Sequence, residues 1–343
     1  MKVAVVILNY NGKRFLEQFL PNVIANCDSS TTEIIVADNA SEDDSVAFMK
    51  SHFPGIRLIE NGSNGGFTTG YNLALRQIEA QYYVLLNSDI EVTPCWIEPI
   101  IEMMDADPQI AACQPKILSY YHKEQFEYAG ACGGFIDKYG YPFCRGRVFQ
   151  NLEVDKGQYD DPKEVFWATG ACMFVRADLY HQIGGLDDSF FAHMEEIDLC
   201  WRLKNTGYKV YCCPQSKVYH IGGGTLPKNS PRKTYLNFRN NLSLLAKNLP
   251  DDRVFPVIAY RILLDWVAAL KFLAEGCVKD FAKVFKAHWD FYKRLKSLRE
   301  KRKGCEHKEV SCIYNRNIVF ESILRGKKKF SDLREGDFTS IHQ

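Results

Sequence analysis

The chain has 343 residues, and 46% of them are hydrophobic. This length is enough for one large hydrophobic core together with a smaller second region. The formal net charge of +1 at pH 7 excludes the strongly basic class of protein that binds nucleic acid through its overall charge.

The first predicted element is a continuous apolar strand over residues 3–8. No basic segment or cleavage site precedes it, so a secretory signal peptide is not expected. The twelve cysteines include no CxxC pair and no zinc-ligand spacing. Reduced thiols and a cytoplasmic location are therefore expected.

Strands and helices alternate over residues 1–115. Apolar residues at helical spacing predict a helix over residues 15–24, and Ser41, followed by acidic residues, predicts the N-cap of the next one. Further strands are predicted at 33–37, 56–59, 82–86 and 110–114, and further helices at 71–78 and 96–104. This order predicts an α/β fold with a mostly parallel sheet and helices on both faces.

Residues 117–165 are rich in Gly, Tyr and Cys and lack periodicity, which predicts irregular strands and loops over the site. Periodic spacing of apolar residues resumes after this segment. It predicts strands at 171–175, 209–213 and 217–220, and helices at 177–183 and 195–206. From residue 235 the chain is mainly helical and increasingly basic. We predict a catalytic domain over residues 1–230 and a helical region over residues 231–343.

Two acidic residues follow predicted strands at the edge where open α/β sheets bind ligands. Asp89, in Asn87-Ser88-Asp89, is suited to hold a divalent cation against a diphosphate, although these residues are also common turn formers. Asp38 could accept hydrogen bonds from a ribose or a base. Its alternative role is to cap the next helix, which Ser41 can already do.

Residues 62–70 are predicted to form a loop rich in Gly, Ser, Asn and Thr that leads into the helix predicted at 71–78. Glycines allow close approach of the backbone to a ligand, and a helix N-terminus favours anionic groups. The loop is neither a dinucleotide fingerprint, which belongs after the first strand, nor a GxxxxGK[ST] phosphate loop.

Two further features suggest chemistry. Glu195 and Glu196 follow an apolar Phe-Phe pair, a setting that can raise the pKa of a carboxylate into the useful range for a general base. The alternative is stabilisation of a helix N-terminus, with Asp198 and Arg202 as an i,i+4 pair. His220 ends a strand before the run Gly222-Gly223-Gly224 and is a candidate metal ligand.

Together these segments resemble glycosyltransferase family 2, the inverting sugar-nucleotide transferases with the GT-A fold, a Rossmann-like α/β architecture. They are especially similar to its bacterial rhamnosyltransferase-like and galactofuranosyltransferase-like branch. The resemblance covers residues 1–245 and rests on residues 5–11, 36–41, 64–72, 85–89, 170–173, 185–187, 195–202 and 220.

The resemblance implies a role for each candidate residue. Asp89 and His220 would bind Mg²⁺ or Mn²⁺, and Glu196 would be the base, with Glu195 in reserve because many relatives carry Asp in place of Glu196. Asn87 stands where the family often has Asp, so it would touch the donor without adding charge. The implied donor-binding residues are Asn9, Asn11, Asp38, Asn64, Gly65, Gly66, Asn72, Asn87, Ser88 and Asp89. The implied acceptor-side residues are Trp167, Gly170 and Asp198.

The implied activity is metal-dependent transfer of a hexosyl or deoxyhexosyl group in cell-surface polysaccharide synthesis. The donor would be a dTDP- or UDP-sugar and the acceptor a glycan or a lipid-linked molecule. Two alternatives stay open at this point: a nucleotidyltransferase, although residues 9–14 are a poor match to its basic loop, and a non-catalytic sugar-binding protein.

The basic, apolar region after residue 254 has two interpretations. It would suit helices lying on the inner face of the cytoplasmic membrane, since charges interrupt every apolar run before it reaches the length of a membrane span. It would equally suit a helical pair packed on the catalytic domain or on another subunit of a homo-oligomer.

Overall fold

The computed structural model describes residues 1–222 and 230–340. Its strands are β1 (Val3–Asn9), β2 (Thr32–Asp38), β3 (Arg57–Glu60), β4 (Tyr82–Asn87), β5 (Ile90–Val92), β6 (Ile110–Ser119), β7 (Gly134–Asp137), β8 (Pro142–Cys144), β9 (Arg147–Val148), β10 (Asn151–Leu152), β11 (Lys163–Val165), β12 (Cys172–Arg176), β13 (Lys209–His220) and β14 (Ile313–Tyr314). Its α-helices are α1 (Lys13–Ala25), α2 (Ser45–His52), α3 (Gly66–Leu75), α4 (Glu98–Ala106), α5 (Ala177–Gln182), α6 (Glu195–Asn205), α7 (Pro231–Asn248), α8 (Asp251–Ala274), α9 (Val278–Arg302) and α10 (Ile318–Ile323). Two short 3₁₀ turns follow, Phe330–Asp332 and Glu335–Asp337.

The larger sheet has the order β11-β13-β6-β12-β4-β1-β2-β3, with β5 paired to β13. Strands β3, β2, β1 and β4 are parallel, as predicted. The other half is mixed, because β12 lies antiparallel between β4 and β6. Along β1, Ala4 and Val6 join one buried cluster while Val5 and Ile7 join the other, so both faces of the sheet are covered. The α/β class and the helical C-terminal region are confirmed.

The aperiodic segment forms most of a second sheet, with the order β10-β9-β8-β7-β14. Its last strand, β14, comes from the C-terminal region and pairs in parallel with β7. An isolated bridge between Gly134 and Trp167 links β7 to the segment that follows β11. A Cβ on Gly134 would lie 2.0 Å from the Trp167 ring, so this close approach requires glycine.

Helix α3 begins earlier than the sequence predicts, and helix α2 begins later. Helix α3 begins at Gly66 instead of residue 71, because burial of Gly66 and Thr68 outweighs the low helix propensity of glycine. Helix α2 begins at Ser45, after Asp44. Ser41 does not cap it, since its backbone N–H and hydroxyl donate to the Asp38 carboxylate at 2.8 and 2.6 Å.

Helix α7 is joined to α6 through a buried group of charges. The Asp198 carboxylate accepts hydrogen bonds from Arg202 Nε, Lys247 Nζ and Asn248 Nδ2, each at 2.8 Å. Lys247 Nζ also lies 2.8 Å from Asp187. Burial alone would raise the pKa of Asp198, but the charges of Lys247 and Arg202 outweigh it and lower that pKa. The C-terminal region is thus anchored to α6 by buried charges.

Replacing Lys247 tests this anchor. In Lys247→Met, two buried carboxylates lose a shared cation, and breaking a buried ion pair costs about 3–5 kcal/mol. The free energy of unfolding, measured by urea denaturation, should fall by that amount. Lys303→Met, which removes an exposed lysine paired with Glu300, is the control and should stay near wild type. Equal stability of the two variants would contradict the anchor.

Candidate active site

Asp89 and His220 lie side by side at the sheet edge where β4 ends. The antiparallel pairing of β5 with β13 sets Ile90 opposite His220, so the residue before β5 reaches the histidine ring. Asp89 Oδ1 lies 3.1 Å from His220 Nε2. On the other side of the ring, Glu127 Oε2 lies 3.3 Å from His220 Nδ1. The sequence analysis predicted that Asp89 and His220 lie together, but it missed Glu127.

The two carboxylates determine the charge state of this histidine. Burial alone would lower the pKa of His220, but Glu127 and Asp89 outweigh burial and raise it to about 10. Burial would likewise raise the pKa of each carboxylate, and the charge of His220 instead holds both below their ordinary values. The three side chains form a buried, mutually stabilised set.

The Asp89–His220 pair fits a divalent cation shared with a substrate. Adjacent ligands of an octahedral Mg²⁺ at about 2.1 Å lie about 3 Å apart, and such an ion binds few protein groups and takes phosphate oxygens. In the structure this 3.1 Å separation is the hydrogen bond between protonated His220 Nε2 and Asp89 Oδ1, so a cation bound by both groups would take the place of the Nε2 proton. Within residues 1–222 and 230–340, no group of three His, Cys, Asp or Glu side chains is arranged to hold a metal ion.

The glycine run after His220 is described only at its first member. Gly222 has φ +72°, and a Cβ there would lie 2.6 Å from Glu127 Oε1. Glycine at this position therefore lets Glu127 reach the histidine. Gly223 and Gly224 lie outside the described residues.

Asn9 and Asp38 end neighbouring parallel strands at the same edge. Both are buried, and Asn9 Nδ2 donates to Asp38 Oδ1 at 2.9 Å. Ser41 also donates to this carboxylate, so Asp38 fixes the turn after β2. Asn11, with φ +51°, is exposed and accepts a hydrogen bond from the Glu42 backbone at 2.7 Å.

The loop before α3 is tied to the segment after α5. Asn64 is exposed, and its Oδ1 accepts from Gly66 N at 3.0 Å, while Gly65 is half-buried. Asn72 is engaged internally: Nδ2 donates to Leu186 O at 2.7 Å, and Oδ1 accepts from a tyrosine hydroxyl and the Leu186 N–H. Asn72 therefore positions the loop from within the fold.

A short segment connects the strand end at Asn87 with the predicted base. Asn87 N donates to Ala171 O at 2.9 Å, and both Asn87 and Ser88 are half-buried. Gly170, the residue before Ala171, lies beside Glu196, since a Cβ on Gly170 would be 3.8 Å from the Glu196 Cβ. The structure thus brings Asn87, Gly170 and Glu196 together.

A strained turn presents the two glutamates at the start of α6. Phe191, His193 and Met194 all have positive φ, at 70°, 69° and 75°. Residues with side chains rarely adopt this conformation, and its cost must be met by surrounding contacts. Asn240 on α7 provides these contacts. Its Nδ2 lies 2.8–3.0 Å from the carbonyl oxygens of Phe190, Ala192 and His193.

The two glutamates differ in their surroundings. Burial raises the pKa of Glu196 to about 7. Burial and then the charge of Glu196 raise the pKa of Glu195 well above its ordinary value. The Oε2 atom of each glutamate is buried and unpaired, but Glu195 is a buried residue, whereas Glu196 is half-buried and lines a cavity. Glu196 is therefore the better placed of the two to act as a base near neutral pH.

The cavity beside Glu196 has a volume of about 360 Å³. Its wall combines aromatic and polar groups from both parts of the chain, including Tyr128, Tyr141, Trp167, Phe238, Asn241 and Arg261. His193 also faces it, and burial followed by the charge of Lys233 lowers the pKa of His193 to about 4. Trp167 thus lines the cavity, whereas Asp198 is held in the buried charge group and does not line it.

Sequence reasoning missed Glu127, His193 and Asn240. Glu127 lies in the aperiodic segment, where no local pattern distinguishes it. His193 lies two residues before Glu195, and that position was a usable signal. The sequence gives no signal for Asn240, because a polar residue in a helix ordinarily faces solvent.

Comparison with solved structures shows the fold class. S. aureus TarS 1–349 in complex with UDP-GlcNAc superposes with a TM-score of 0.57 at 14% identity, covering 100% of both chains. GalNAc-T7 with UDP, GalNAc and Mn²⁺ has a TM-score of 0.57 at 15% identity, covering 73% of this chain and 48% of that one. The architecture is thus that of a GT-A glycosyltransferase.

The sequence places the protein more narrowly. The model of glycosyl transferase family 2 matches residues 4–184, more than half of the chain, and the protein belongs to that family. The N-acetylglucosaminyl-diphospho-decaprenol L-rhamnosyltransferase of Mycobacterium tuberculosis is 25% identical over 80% of this chain and 89% of its own length. The protein is a glycosyltransferase, which removes the nucleotidyltransferase and non-catalytic alternatives.

Replacing Asn240 tests how the glutamates are held. Asn240→Ala leaves buried carbonyls unpaired, at about 1–3 kcal/mol for each group, and frees the strained turn. Transfer activity should fall about tenfold to a hundredfold, beyond what the lost stability explains, because a misplaced base is ineffective.

The control for this experiment is Ser243→Ala, on the same helix, where the lost hydrogen bond is to Arg239 O. Its activity should stay near wild type. Steady-state rates, taken well below the melting temperature of each variant, make the comparison. Full activity in Asn240→Ala would show that the turn keeps its shape without this side chain.

Proposed function

We propose that this protein is an inverting, metal-dependent glycosyltransferase. It would move a sugar from a dTDP- or UDP-sugar to a glycan or lipid-linked acceptor in cell-surface polysaccharide synthesis. The observation that carries the proposal is Glu196: a carboxylate of raised pKa in a cavity wall, beside the segment that joins the strand end at Asn87.

The substrates are proposed from the relatives and from the site. GalNAc-T7 and TarS are described with UDP or a UDP-sugar, and GalNAc-T7 with Mn²⁺. The name of the M. tuberculosis relative describes rhamnosyl transfer to a sugar on a lipid diphosphate. The aromatic wall of the cavity, with Trp167, suits stacking against a sugar ring.

The chemistry is set by the positions of the side chains. Asp89 and His220 would hold Mg²⁺ or Mn²⁺, which neutralises charge on a departing diphosphate when it is bound. Glu127 keeps the His220 ring oriented, with Nε2 toward Asp89. Glu196 accepts the proton of an acceptor hydroxyl as that oxygen attacks the anomeric carbon. Attack opposite the leaving group inverts the centre without a covalent enzyme intermediate.

Substitution of the two glutamates tests the base. Glu196→Gln should bind the donor normally and lose transfer activity by roughly two to four orders of magnitude. Glu195→Gln, the matched control, should retain most of it. Because a base must be unprotonated, the wild-type rate should rise with pH through about 7, the pKa of Glu196. An inactive Glu195→Gln beside an active Glu196→Gln would reverse the assignment.

Release of nucleoside diphosphate from a panel of UDP-, dTDP- and GDP-sugars with Mn²⁺ tests the metal site. Asp89→Asn should slow release about a hundredfold or more, because metal assistance to the leaving group is worth several kcal/mol. Glu127→Gln should weaken Mn²⁺ binding, measured by calorimetry, by about tenfold to a hundredfold. Glu91→Gln, an acid on β5 that pairs with Lys123, is the control. A wild-type rate in Asp89→Asn would refute this metal site.

A further inference from the structure

Helices α8 and α9 form a hairpin whose outer face is apolar and exposed. On α8, Ala259, Leu263, Val267, Leu270 and Ala274 recur every three or four residues and are all exposed. The large members are more than half exposed, with Leu263 and Val267 at 60% and Leu270 at 58%. This spacing places them in one stripe along the helix.

Helix α9 carries a matching stripe of Val278, Ala282, Phe285, Trp289 and Tyr292, again all exposed. The Trp289 side chain is 62% exposed. The rings of Trp266 on α8 and Phe285 on α9 pack edge to face with centroids 5.0 Å apart, which joins the two stripes into one surface. We call this surface the hairpin face.

The exposed charges around the hairpin face are mostly positive, although Lys271 and Lys286 are paired with Glu275 and Asp290. Between residues 255 and 296 the exposed charged residues are five lysines and one acid, namely Lys271, Lys279, Lys286, Lys293, Lys296 and Glu275. Lys293 Nζ lies 5.3 Å from the centre of the Trp289 ring, so positive charge adjoins the aromatic group. In the described parts of the chain, no helix combines the length and apolar character needed to cross a bilayer.

A protein surface that joins exposed large apolar side chains, a tryptophan and a border of lysines matches the layered chemistry of an anionic membrane. Apolar side chains enter the acyl boundary, tryptophan favours the interface, and lysines remain among the headgroups. A surface for a second copy of this chain would instead bring the lysine border of one copy against the lysine border of the other, which repels.

We propose that the hairpin face docks this protein on the surface of an anionic lipid bilayer. The opposite side of α8 supplies Arg261, Asp265 and Ala268 to the cavity beside Glu196. One helix, about 10–12 Å thick, therefore separates the bilayer from the cavity. If the proposed function holds, this arrangement lets the sugar of a lipid-linked acceptor enter the cavity while its lipid stays in the membrane.

Vesicle flotation of the full chain tests the docking. Vesicles of phosphatidylcholine with about 30% phosphatidylglycerol should carry the protein about tenfold better than phosphatidylcholine alone, and salt near 1 M should reduce the difference. Leu263→Glu with Val267→Glu should abolish binding, and Lys293→Gln with Lys296→Gln should remove the preference for anionic lipid. Ile24→Glu with Leu152→Glu, at exposed apolar positions elsewhere, is the matched control and should float like wild type.

Three results would overturn the proposal: no flotation of the wild type with anionic vesicles, unchanged flotation of the Leu263→Glu, Val267→Glu variant, or a light-scattering dimer that this variant dissociates. The last result would assign the hairpin face to a second copy of the chain. Thermal melts establish that each variant is folded. Nucleoside diphosphate release without vesicles is measured in parallel, so a protein that floats but lacks activity refutes the proposed function and leaves the docking intact.

Discussion

The site depends on one strained turn, the segment that leads into α6. Phe191, His193 and Met194 each adopt a conformation that costs about 1–3 kcal/mol, so the turn exists only because neighbouring groups impose it. Asn240 holds it from α7, and the backbone N–H of Phe67 donates to Phe191 O at 2.9 Å from the other side. Glu196 is directed into the cavity because this turn cannot relax.

This constraint makes the C-terminal helices part of the site. The match to the family model ends at residue 184, yet α7 fixes the turn and α8 forms one wall of the cavity. The buried charges around Asp198 then hold α7 against α6. The part of the chain that the family model matches thus supplies Asp89 at the sheet edge, whereas His220, Glu196 and the helices that shape the space in front of Glu196 lie beyond it.

Strands and the residues at their ends are the features that the sequence predicted best. Asp89 and His220 meet because each lies at the end of a buried strand, and sheet pairing alone brings them together. Glu127 reaches the same histidine from an aperiodic segment, so only the folded chain reveals it. Asn240 likewise reads as an ordinary polar residue of a helix. The predicted start of α3 was wrong because four glycines suggested a loop, whereas tertiary burial stabilises a helix there.

Gly66 links two parts of the site that look separate in the sequence. Its φ of +80° already disfavours any other residue, and a Cβ would lie 2.6 Å from the carbonyl oxygen of Phe191. A larger side chain would therefore push directly on the turn that carries Glu196. Engineering of sugar-nucleotide preference at this glycine would disturb the alignment of the base at the same time, so a redesigned enzyme would have to gain new specificity at positions that do not touch Phe191.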